Sequence, residues 1–383
     1  MTAFGRNILS RWHLDPALAH LNHGSFGACP KEVLEKQSAL RAHIEQDPDS
    51  FYRHEIYPLS RRAADGIGGF IGAPGSSIVF VPNTTTGVES VLQSIAWKDG
   101  DTLVCANHSY KAVRQSVARH ALAHTLHVRA ADIPVPMSDD GILSAYAAAL
   151  HEGARLVIID HINSPLGCLF PVKELIAMAR AKGALVLVDG AHGIGQVDID
   201  LAAMAPDWYV SNAHKWLFGP KGSAFLFSAP SMQAITHPPV VSIWFNEAYT
   251  SRFDYVGTSD PTPWLCMPDA LAFTKALGLA ETRAHRARLM ARADAMFAGL
   301  KSRPAVAPPM RAAMGTWLLP KSAISEPEAA RALMFWLREK HGVQAASHDH
   351  GHEIILRLSL QAYNGPEDID RVGAALGAIG LGK

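Results

Sequence analysis

The sequence predicts an α/β fold in which a mainly parallel sheet lies between helices, followed by a smaller C-terminal α+β domain. Three observations predict this fold. From residue 76, short β-branched segments alternate with segments of helical periodicity. Two of the strands, RLVIIDHI and ALVLVDGAH, are nearly all apolar, as expected where helices cover both faces of a sheet. The alternation fades at the proline-rich stretch 261–268, which predicts a domain boundary.

The predicted elements of the large domain follow one another in a regular order. SIVFVPN is a strand that leads into the helix TTGVESVLQSIA, and TLVCAN is the next strand. The helix YKAVRQSVARHALAH follows, with Val113, Val117 and Leu122 expected on one face. VKELIAMARAKG is the helix between the two apolar strands, and Gly183 suits the position after its C-terminus. SAFLF is a further predicted strand.

The predicted elements of the small domain begin with one long helix, DALAFTKALGLAETRAHRARLMARADAMFAGL. The strand GTWLLP, the helix EPEAARALMFWLREKHG, the strand IILRLSL and a closing helix follow it. We therefore expect an N-terminal segment over residues 1–20, a large domain over 21–265 and a small domain over 266–383.

The composition indicates which binding partners and which cellular compartment to expect for this protein. The 383 residues carry 35 Lys and Arg against 35 Asp and Glu, so the surface is not expected to neutralise nucleic acid or an anionic membrane. Charged residues interrupt every apolar run, and the first 16 residues do not resemble a secretory signal. The four cysteines are scattered without a CxxC pair, which favours reduced thiols and a cytoplasmic location.

The segment from His348 to His352 contains three histidines at alternate positions, which suggests a metal site. A solvated loop between helix and strand is the simpler interpretation. We therefore predict no metal centre here.

An aspartate and a lysine carry the main chemical signal. Asp189 ends an apolar strand, at the edge where open α/β sheets bind ligands, and Lys215 lies in SNAHKW ahead of a glycine-containing turn. A lysine that faces a buried aspartate suits pyridoxal 5′-phosphate. The lysine binds the cofactor covalently, and the aspartate keeps its pyridine nitrogen protonated. On spacing alone, a structural ion pair fits equally well.

Three further segments favour the cofactor interpretation, and each has a simpler alternative. Asn83-Thr-Thr-Thr-Gly87 begins a predicted helix, where free N–H groups favour phosphate, although Thr84 would also serve as an N-cap. Tyr110, at the next strand end, would cover a planar ring or simply be half-buried. Arg357, between two leucines, would bind a substrate carboxylate or an internal acid.

Six motifs in order resemble a known family: LNHGSFGACP, VPNTTTGVES, VDGAHGIGQ, NAHKWLFGPKG, VGTSDPTP and LRLSLQAYN. Together they resemble the class V, fold-type I pyridoxal phosphate enzymes, most closely the isopenicillin N epimerase-like branch. The resemblance runs from about residue 20 to the end of the chain. It implies the fold-type I architecture, a homodimer with shared active sites and a small amino-acid-like substrate.

The resemblance also implies a role for each matching residue. Lys215, Asp189, His192 and Tyr110 would be the catalytic residues. The cofactor would contact Thr85, Thr86, Gly87, Tyr110, Ser164, Asp189, His192, Asn212, His214, Lys215 and, from the second subunit, Thr258. The substrate would contact Asn22, His23, Ser25, Tyr52 and Arg357.

Two positions depart from the branch. Ser259 stands in GTSD where an arginine is common, and Lys111 follows Tyr110 where a small residue is usual. These differences argue against a bicyclic β-lactam substrate and leave the cofactor chemistry intact.

Four reactions are compatible with the scaffold to different degrees. The first is epimerisation after loss of the Cα proton to Lys215, which needs a second acid from among Tyr52, His23 and Tyr110. A C–S β-lyase of the hercynylcysteine sulfoxide lyase type and a class V aminotransferase are the alternatives. Cysteine desulfuration is disfavoured, because residues 339–357 contain no cysteine to act as the nucleophile. A non-catalytic sensor is disfavoured by the intact Lys215 motif.

Overall fold

The computed structural model describes residues 4–323 and 328–382. The α-helices are α1 (His23–Phe26), α2 (Lys31–Ile44), α3 (Pro48–Ser50), α4 (Ile56–Ile71), α5 (Thr84–Ser94), α6 (Lys111–His124), α7 (Asp139–Ala149), α8 (Val172–Ala181), α9 (Leu201–Met204), α10 (Ala213–Trp216), α11 (Tyr249–Asp254), α12 (Thr262–Leu265), α13 (Met267–Leu277), α14 (Leu279–Ala298), α15 (Ala329–His341) and α16 (Pro366–Ala378). The strands are β1 (Ala19–His20), β2 (Ile78–Val81), β3 (Thr102–Ala106), β4 (His127–Ala131), β5 (Ala154–Asp160), β6 (Leu185–Asp189), β7 (Trp208–Asn212), β8 (Ala224–Ser228), β9 (Arg303–Pro304), β10 (Met314–Pro320), β11 (Val343–Gln344), β12 (Ala346–His350) and β13 (Glu353–Ser359).

The large domain is built on a seven-stranded sheet with the order β2-β8-β7-β6-β5-β3-β4. Only β8 runs antiparallel to its neighbours, so the carboxyl ends of the other six strands meet at one edge. The central strands β5 and β6 are buried almost throughout because helices pack on both faces. This confirms the predicted α/β architecture with a mainly parallel sheet.

The second sheet is antiparallel and four-stranded, with the order β12-β13-β10-β9. Its core joins β10 and β13 to α14, α15 and α16, through residues such as Trp317, Leu333 and Leu356. The N-terminal segment crosses to this side, where β1 pairs in parallel with β11. The segment that follows β1 contacts residues of both domains, because Asn22 forms a bridge with Ser359 and His23 bonds to the carbonyl of Lys215.

Three predicted features differ from the structure. Leu122 is 88% exposed, whereas Val113 and Val117 are buried, because Leu122 lies off the stripe that faces β3. The long helix after residue 268 is divided into α13 and α14 at Gly278, whose φ of +85° suits glycine. The histidine segment forms β12 and a turn rather than a loop, since its backbone pairs with β13.

The predicted domain limits keep the status of a prediction. α13 packs against α2 and α4 of the large domain, and α14 packs against α16 of the small domain. The chain therefore passes from the core of the large domain to the core of the small domain near Gly278, between α13 and α14. Glu326 and Pro327, at the predicted start of α15, lie outside the described residues.

Candidate active site

A cavity of about 640 Å³ opens at the carboxyl edge of the large sheet. This volume lies within the usual range for small-molecule sites. The ends of β5, β6 and β7 supply its floor, and the first turn of α5 supplies one wall. Predicted residues in its lining are Ser25, Thr85, Thr86, Tyr110, Ser164, Asp189, His192, Asn212, His214 and Lys215.

Lys215 lies in the short helix α10, directly after β7, and its amine points into this cavity. Its Nζ is 3.1 Å from Nε2 of His192. Burial, and then the charge of Arg357, lower the pKa of Lys215 to about 7, although Asp189 acts in the opposite direction. A substantial fraction of this amine is therefore neutral, and hence nucleophilic, at neutral pH.

Asp189 ends β6 and is 4% exposed. Its Oδ1 accepts the backbone N–H of Ala191 at 2.9 Å, and its second oxygen has no hydrogen-bond donor among the described residues. Burial raises the pKa of Asp189 despite this N–H and the charge of Lys215. Asp189 therefore makes no ion pair at bonding distance in the described part of the chain, and a protonated ring nitrogen would supply such a partner.

Asp160 is a second buried carboxylate that the sequence interpretation missed. It ends β5 and is the register partner of Asp189 on β6. Ser109 Oγ donates to Asp160 Oδ2 at 2.7 Å. Burial first, and the charge of Asp189 second, raise the pKa of Asp160 to about 7. The matching aspartates at the ends of RLVIID and ALVLVD were the available signal, because adjacent parallel strands align their ends.

His192 is positioned by Trp216, another residue that the sequence interpretation missed. Trp216 Nε1 donates to Nδ1 of His192 at 3.1 Å, so neutral His192 carries its proton on Nε2. That nitrogen lies 3.3 Å from Ser164 Oγ as well as near Lys215. Burial and the charge of Lys215 lower the pKa of His192 well below its usual range. His192 is therefore a neutral side chain whose Nε2–H is directed at Ser164 and Lys215.

The first turn of α5 forms a cradle for an anion. Asn83, rather than Thr84, is the N-cap, and its Oδ1 accepts the N–H of Thr86 at 2.9 Å. Asn212 Oδ1 accepts the N–H of Thr84 at 2.9 Å, which holds this turn against β7. The Thr84 hydroxyl is buried without a hydrogen-bond partner in the described part of the chain. A phosphate at this helix end would supply the missing partner.

Arg357 is 3% exposed and has no carboxylate within ion-pair distance among the described residues. Its Nη2 donates to Ser25 Oγ at 3.0 Å and to Asn22 Oδ1 at 3.2 Å, and its Nη1 donates to the carbonyl of Ser164. Its Nε is buried without a partner. The internal ion pair that the sequence left open is therefore absent from residues 4–323 and 328–382.

Four predicted residues have surroundings that the motifs alone did not indicate. His23 is buried, with its ring nitrogens bonded to the Tyr363 hydroxyl and to the Lys215 carbonyl, each at 2.8 Å. Gly87 faces β7, where a Cβ would press on Val210. Thr258 and Tyr52 line a separate cavity of about 630 Å³.

Comparison with known proteins identifies the family. The family model for aminotransferase class V matches residues 29–372. The chain belongs to the class V aminotransferase family. Isopenicillin N epimerase from Streptomyces clavuligerus is 31% identical over 96% of each chain. The probable chloroplastic L-cysteine desulfhydrase of Arabidopsis thaliana is also 31% identical, over 96% of this chain and 84% of that protein.

A similar fold is found in a solved structure of the cystine C–S lyase C-DES. That structure aligns with a TM-score of 0.83 at 20% identity, over 96% of this chain and 98% of that chain. These matches confirm the predicted family and its isopenicillin N epimerase-like relatives.

The residues of this class V enzyme fit its cofactor, pyridoxal 5′-phosphate. The amine of Lys215 would bind the aldehyde of the cofactor, the open oxygen of Asp189 would face its ring nitrogen, and the unpartnered hydroxyl of Thr84 would bond to its phosphate. Tyr110 is 47% exposed at the cavity wall, so it has a free face for a planar ring.

The lowered pKa of Lys215 predicts a pH dependence for cofactor capture. Only the neutral amine attacks an aldehyde, so the rate should rise with pH and level off above about 7. Stopped-flow mixing of apoprotein with pyridoxal phosphate measures this rate. Lys215→Ala is the control for capture by other lysines. A rate that still climbs towards the ordinary lysine pKa of 10.5 would contradict the assignment.

Trp216→Phe tests the positioning of His192. The variant loses the N–H that fixes the tautomer, so we expect kcat to fall about tenfold and its pH profile to shift. Trp208→Phe is a matched control, because Trp208 is also buried but donates to Thr236 at 2.9 Å, away from the cavity. Equal losses in both variants, with unshifted pH profiles, would indicate a packing role only.

Proposed function

We propose that this enzyme removes the Cα proton from an amino acid whose carboxylate is bound by Arg357. One observation carries the proposal: Lys215, whose pKa is lowered, lines the same cavity of about 510 Å³ as Arg357. Arg357 is buried and forms no ion pair among the described residues. A buried guanidinium without an acid needs an anion, and an amino-acid substrate brings one. Its fork matches a carboxylate bidentately.

The chain's own residues account for the positioning and the proton movement. Bound pyridoxal phosphate withdraws electrons from Cα and so acidifies the Cα–H bond. Asp189 stabilises positive charge at the ring nitrogen. Lys215 accepts the Cα proton on Nζ, and His192 donates a hydrogen bond from Nε2 at the same place. Arg357, with Asn22 and Ser25, fixes the carboxylate and thereby the direction of the Cα–H bond.

Within one subunit, two of the three candidate acids for epimerisation are unsuitable, and the third, Tyr110, is the residue expected to lie against the cofactor ring. The arrangement therefore favours β-elimination. Epimerisation needs a second acid on the face opposite Lys215. His23 is a poor acid, because both of its nitrogens are bonded and burial lowers its pKa to about 3. Tyr52 lines the separate cavity of about 630 Å³ that also contains Thr258. β-Elimination needs only Lys215 and a leaving group on Cβ, and relatives named L-cysteine desulfhydrase are compatible with it.

Epimerisation remains the second candidate because of the position of Tyr52. Its hydroxyl donates to the carbonyl of Ser259 at 2.8 Å, beside Thr258. If Thr258 reaches the cofactor of a second subunit, Tyr52 accompanies it and supplies an acid there. The isopenicillin N epimerases at 31% and 29% identity support this candidate.

Desulfuration is disfavoured by the state of the cysteines. Cys29, Cys105, Cys168 and Cys266 are all buried. Burial raises the pKa of Cys105 to about 11 and the pKa of each of the other three to about 12. None of them is therefore a good thiolate nucleophile.

Product analysis in deuterated water tests the proposed function. The enzyme would be incubated with L-cysteine, S-substituted cysteines and their sulfoxides, and other L-amino acids. We expect Cα proton loss with release of pyruvate, ammonia and a sulfur leaving group. Formation of the deuterated D-isomer would instead indicate epimerisation. Formation of a keto acid with the intact side chain would indicate transamination. The absence of both Cα exchange and product formation with every amino acid would contradict the proposal.

We also propose a homodimer with shared sites. Thr258 lies away from α5, and its hydroxyl is 2.9 Å from that of Tyr255. Exposed apolar residues cluster in the neighbouring sequence, and such a cluster is typical of an interface. They are Val240, Val241, Ile243, Trp244, Phe245 and Val256.

Thr258→Ala is expected to weaken pyridoxal phosphate binding about tenfold in an intact dimer, because one charged hydrogen bond is lost. Equilibrium dialysis gives the affinity, and analytical ultracentrifugation gives the mass. Ser259→Ala is the neighbouring control. A monomer that keeps its cofactor on dilution would contradict the shared site.

The cytoplasmic location and the absence of nucleic-acid and membrane partners stay predictions. None of the helices in residues 4–323 and 328–382 is long and apolar enough to span a membrane.

A further inference from the structure

A further cavity of about 510 Å³, the second cavity, adjoins the cofactor cavity, which is the cavity of about 640 Å³ that contains Lys215. The two share lining residues on one wall, namely Ser25, Phe26, Tyr110, Ser164 and Lys215. Arg357 also lines the second cavity. The side chain of a substrate held by Arg357 can therefore extend into this space.

The lining of the second cavity is rich in cations and donors. Lys111 and Arg114 come from the first turn of α6, His108 precedes that helix, and His348 and His350 come from β12. The acidic residue in the described lining is Asp349, which is already paired with Lys321 at 2.7 Å. The cavity consequently carries an excess of positive charge.

The electrostatic energy at the start of α6 is unfavourable without a bound anion, because positive charges gather there. Lys111 and Arg114 lie at the positive end of the helix dipole, and the first turn contains no acidic residue. Tyr110, the N-cap, makes no side-chain capping bond. Arg114 is held over this end because its Nε donates to the Ser109 carbonyl at 3.0 Å. An anion here would bond to free N–H groups and to both side chains.

The histidines of β12 complete the opposite wall. His348 and His350 are two residues apart on a strand, so both face the same side. The ring of His350 lies 6.1 Å from that of His108. No group of three His, Cys, Asp or Glu in the described part of the chain is arranged to hold a metal ion. Their rings could instead offer hydrogen bonds to a ligand in the cavity.

We infer that this second cavity binds an anionic group at the far end of the substrate side chain, so the substrate is an amino acid with a second acidic group. Arg357 binds its α-carboxylate, and Lys111 and Arg114 bind the distal acid. The buried Arg357 also lines this cavity, and its Nε has no partner among the described residues, which places the α-carboxylate at the junction of the two cavities and the distal acid at the α6 end. The inference rests on the proposed function for the orientation of the substrate.

Binding of unreactive diacids tests the inference separately from catalysis. Dicarboxylates of increasing chain length and their monoamides differ in one charge and cannot react, because they lack an amino group. With the cofactor-loaded enzyme, calorimetry should show the best diacid binding about tenfold tighter than its monoamide. The ratio of the diacid affinity to the monoamide affinity should fall towards one in a Lys111→Met, Arg114→Gln double variant.

Arg119→Gln is the matched control, because it removes one positive charge from the same helix but from a residue paired with Glu89. Equal affinities for diacid and monoamide, or a preference that the double variant retains, would overturn the inference. A second measurement compares KM for S-carboxymethyl-L-cysteine and its carboxamide, where the acid should have the lower KM. If neither these compounds nor the amino acids of the product analysis react while the diacid preference holds, the proposed reaction fails and the anion site stands.

Discussion

Lys215→Ala is expected to lose covalent cofactor attachment and to lower kcat/KM on the order of 10⁴-fold or more, because nucleophile and base are removed together. Asp189, His192 and the α5 cradle remain, so the variant should still bind pyridoxal phosphate non-covalently. Borohydride reduction followed by peptide mass spectrometry shows the attachment. Cα exchange with deuterium shows the activity.

Lys182→Ala is the matched control, because Lys182 is a surface lysine that pairs with Glu152 at 2.7 Å. It should keep both the reducible bond and the exchange. If borohydride attaches the cofactor to another lysine in the wild-type protein, or if Lys215→Ala retains Cα exchange, the central assignment is wrong.

Arg357→Ala is expected to raise the activation free energy for kcat/KM by about 2–5 kcal/mol, the range for truncating one side of a buried charged pair. Burial lowers the pKa of Arg357 to about 10, so the residue is still cationic at neutral pH. The effect should fall mainly on substrate affinity and leave cofactor absorbance intact. Arg357→Lys should recover only part of the loss, because an ammonium lacks the planar fork.

Arg303→Ala is a suitable control in the same sheet, because Arg303 pairs with Glu353 at 2.7 Å on the surface. Thermal stability, cofactor content and amino-acid affinity should be measured on each variant. A folded Arg357→Ala protein with wild-type substrate affinity would rule out the carboxylate role. A lower melting temperature with normal affinity would indicate that Arg357 only supports its neighbours.

The sequence by itself determined the fold class, the family and the position of Lys215 and Asp189 at strand ends. These features depend on local signals: apolar strands, glycines at turns and short motifs that keep their order along the chain. It also indicated Arg357 as a buried cation in a strand. Leu122 shows the limit of such signals, because an apolar side chain is expected to be buried, although this one lies five residues after Val117, off the face of α6 that packs on the sheet.

Only the tertiary structure decided which distant residues meet. The register between β5 and β6 sets Asp160 beside Asp189, and the packing of α10 directs the Trp216 N–H to His192. The pairing of β12 with β13 turns a histidine-rich segment into one wall of a cationic cavity. Strand register and side-chain packing arise from contacts between segments far apart in sequence, so no single segment encodes them.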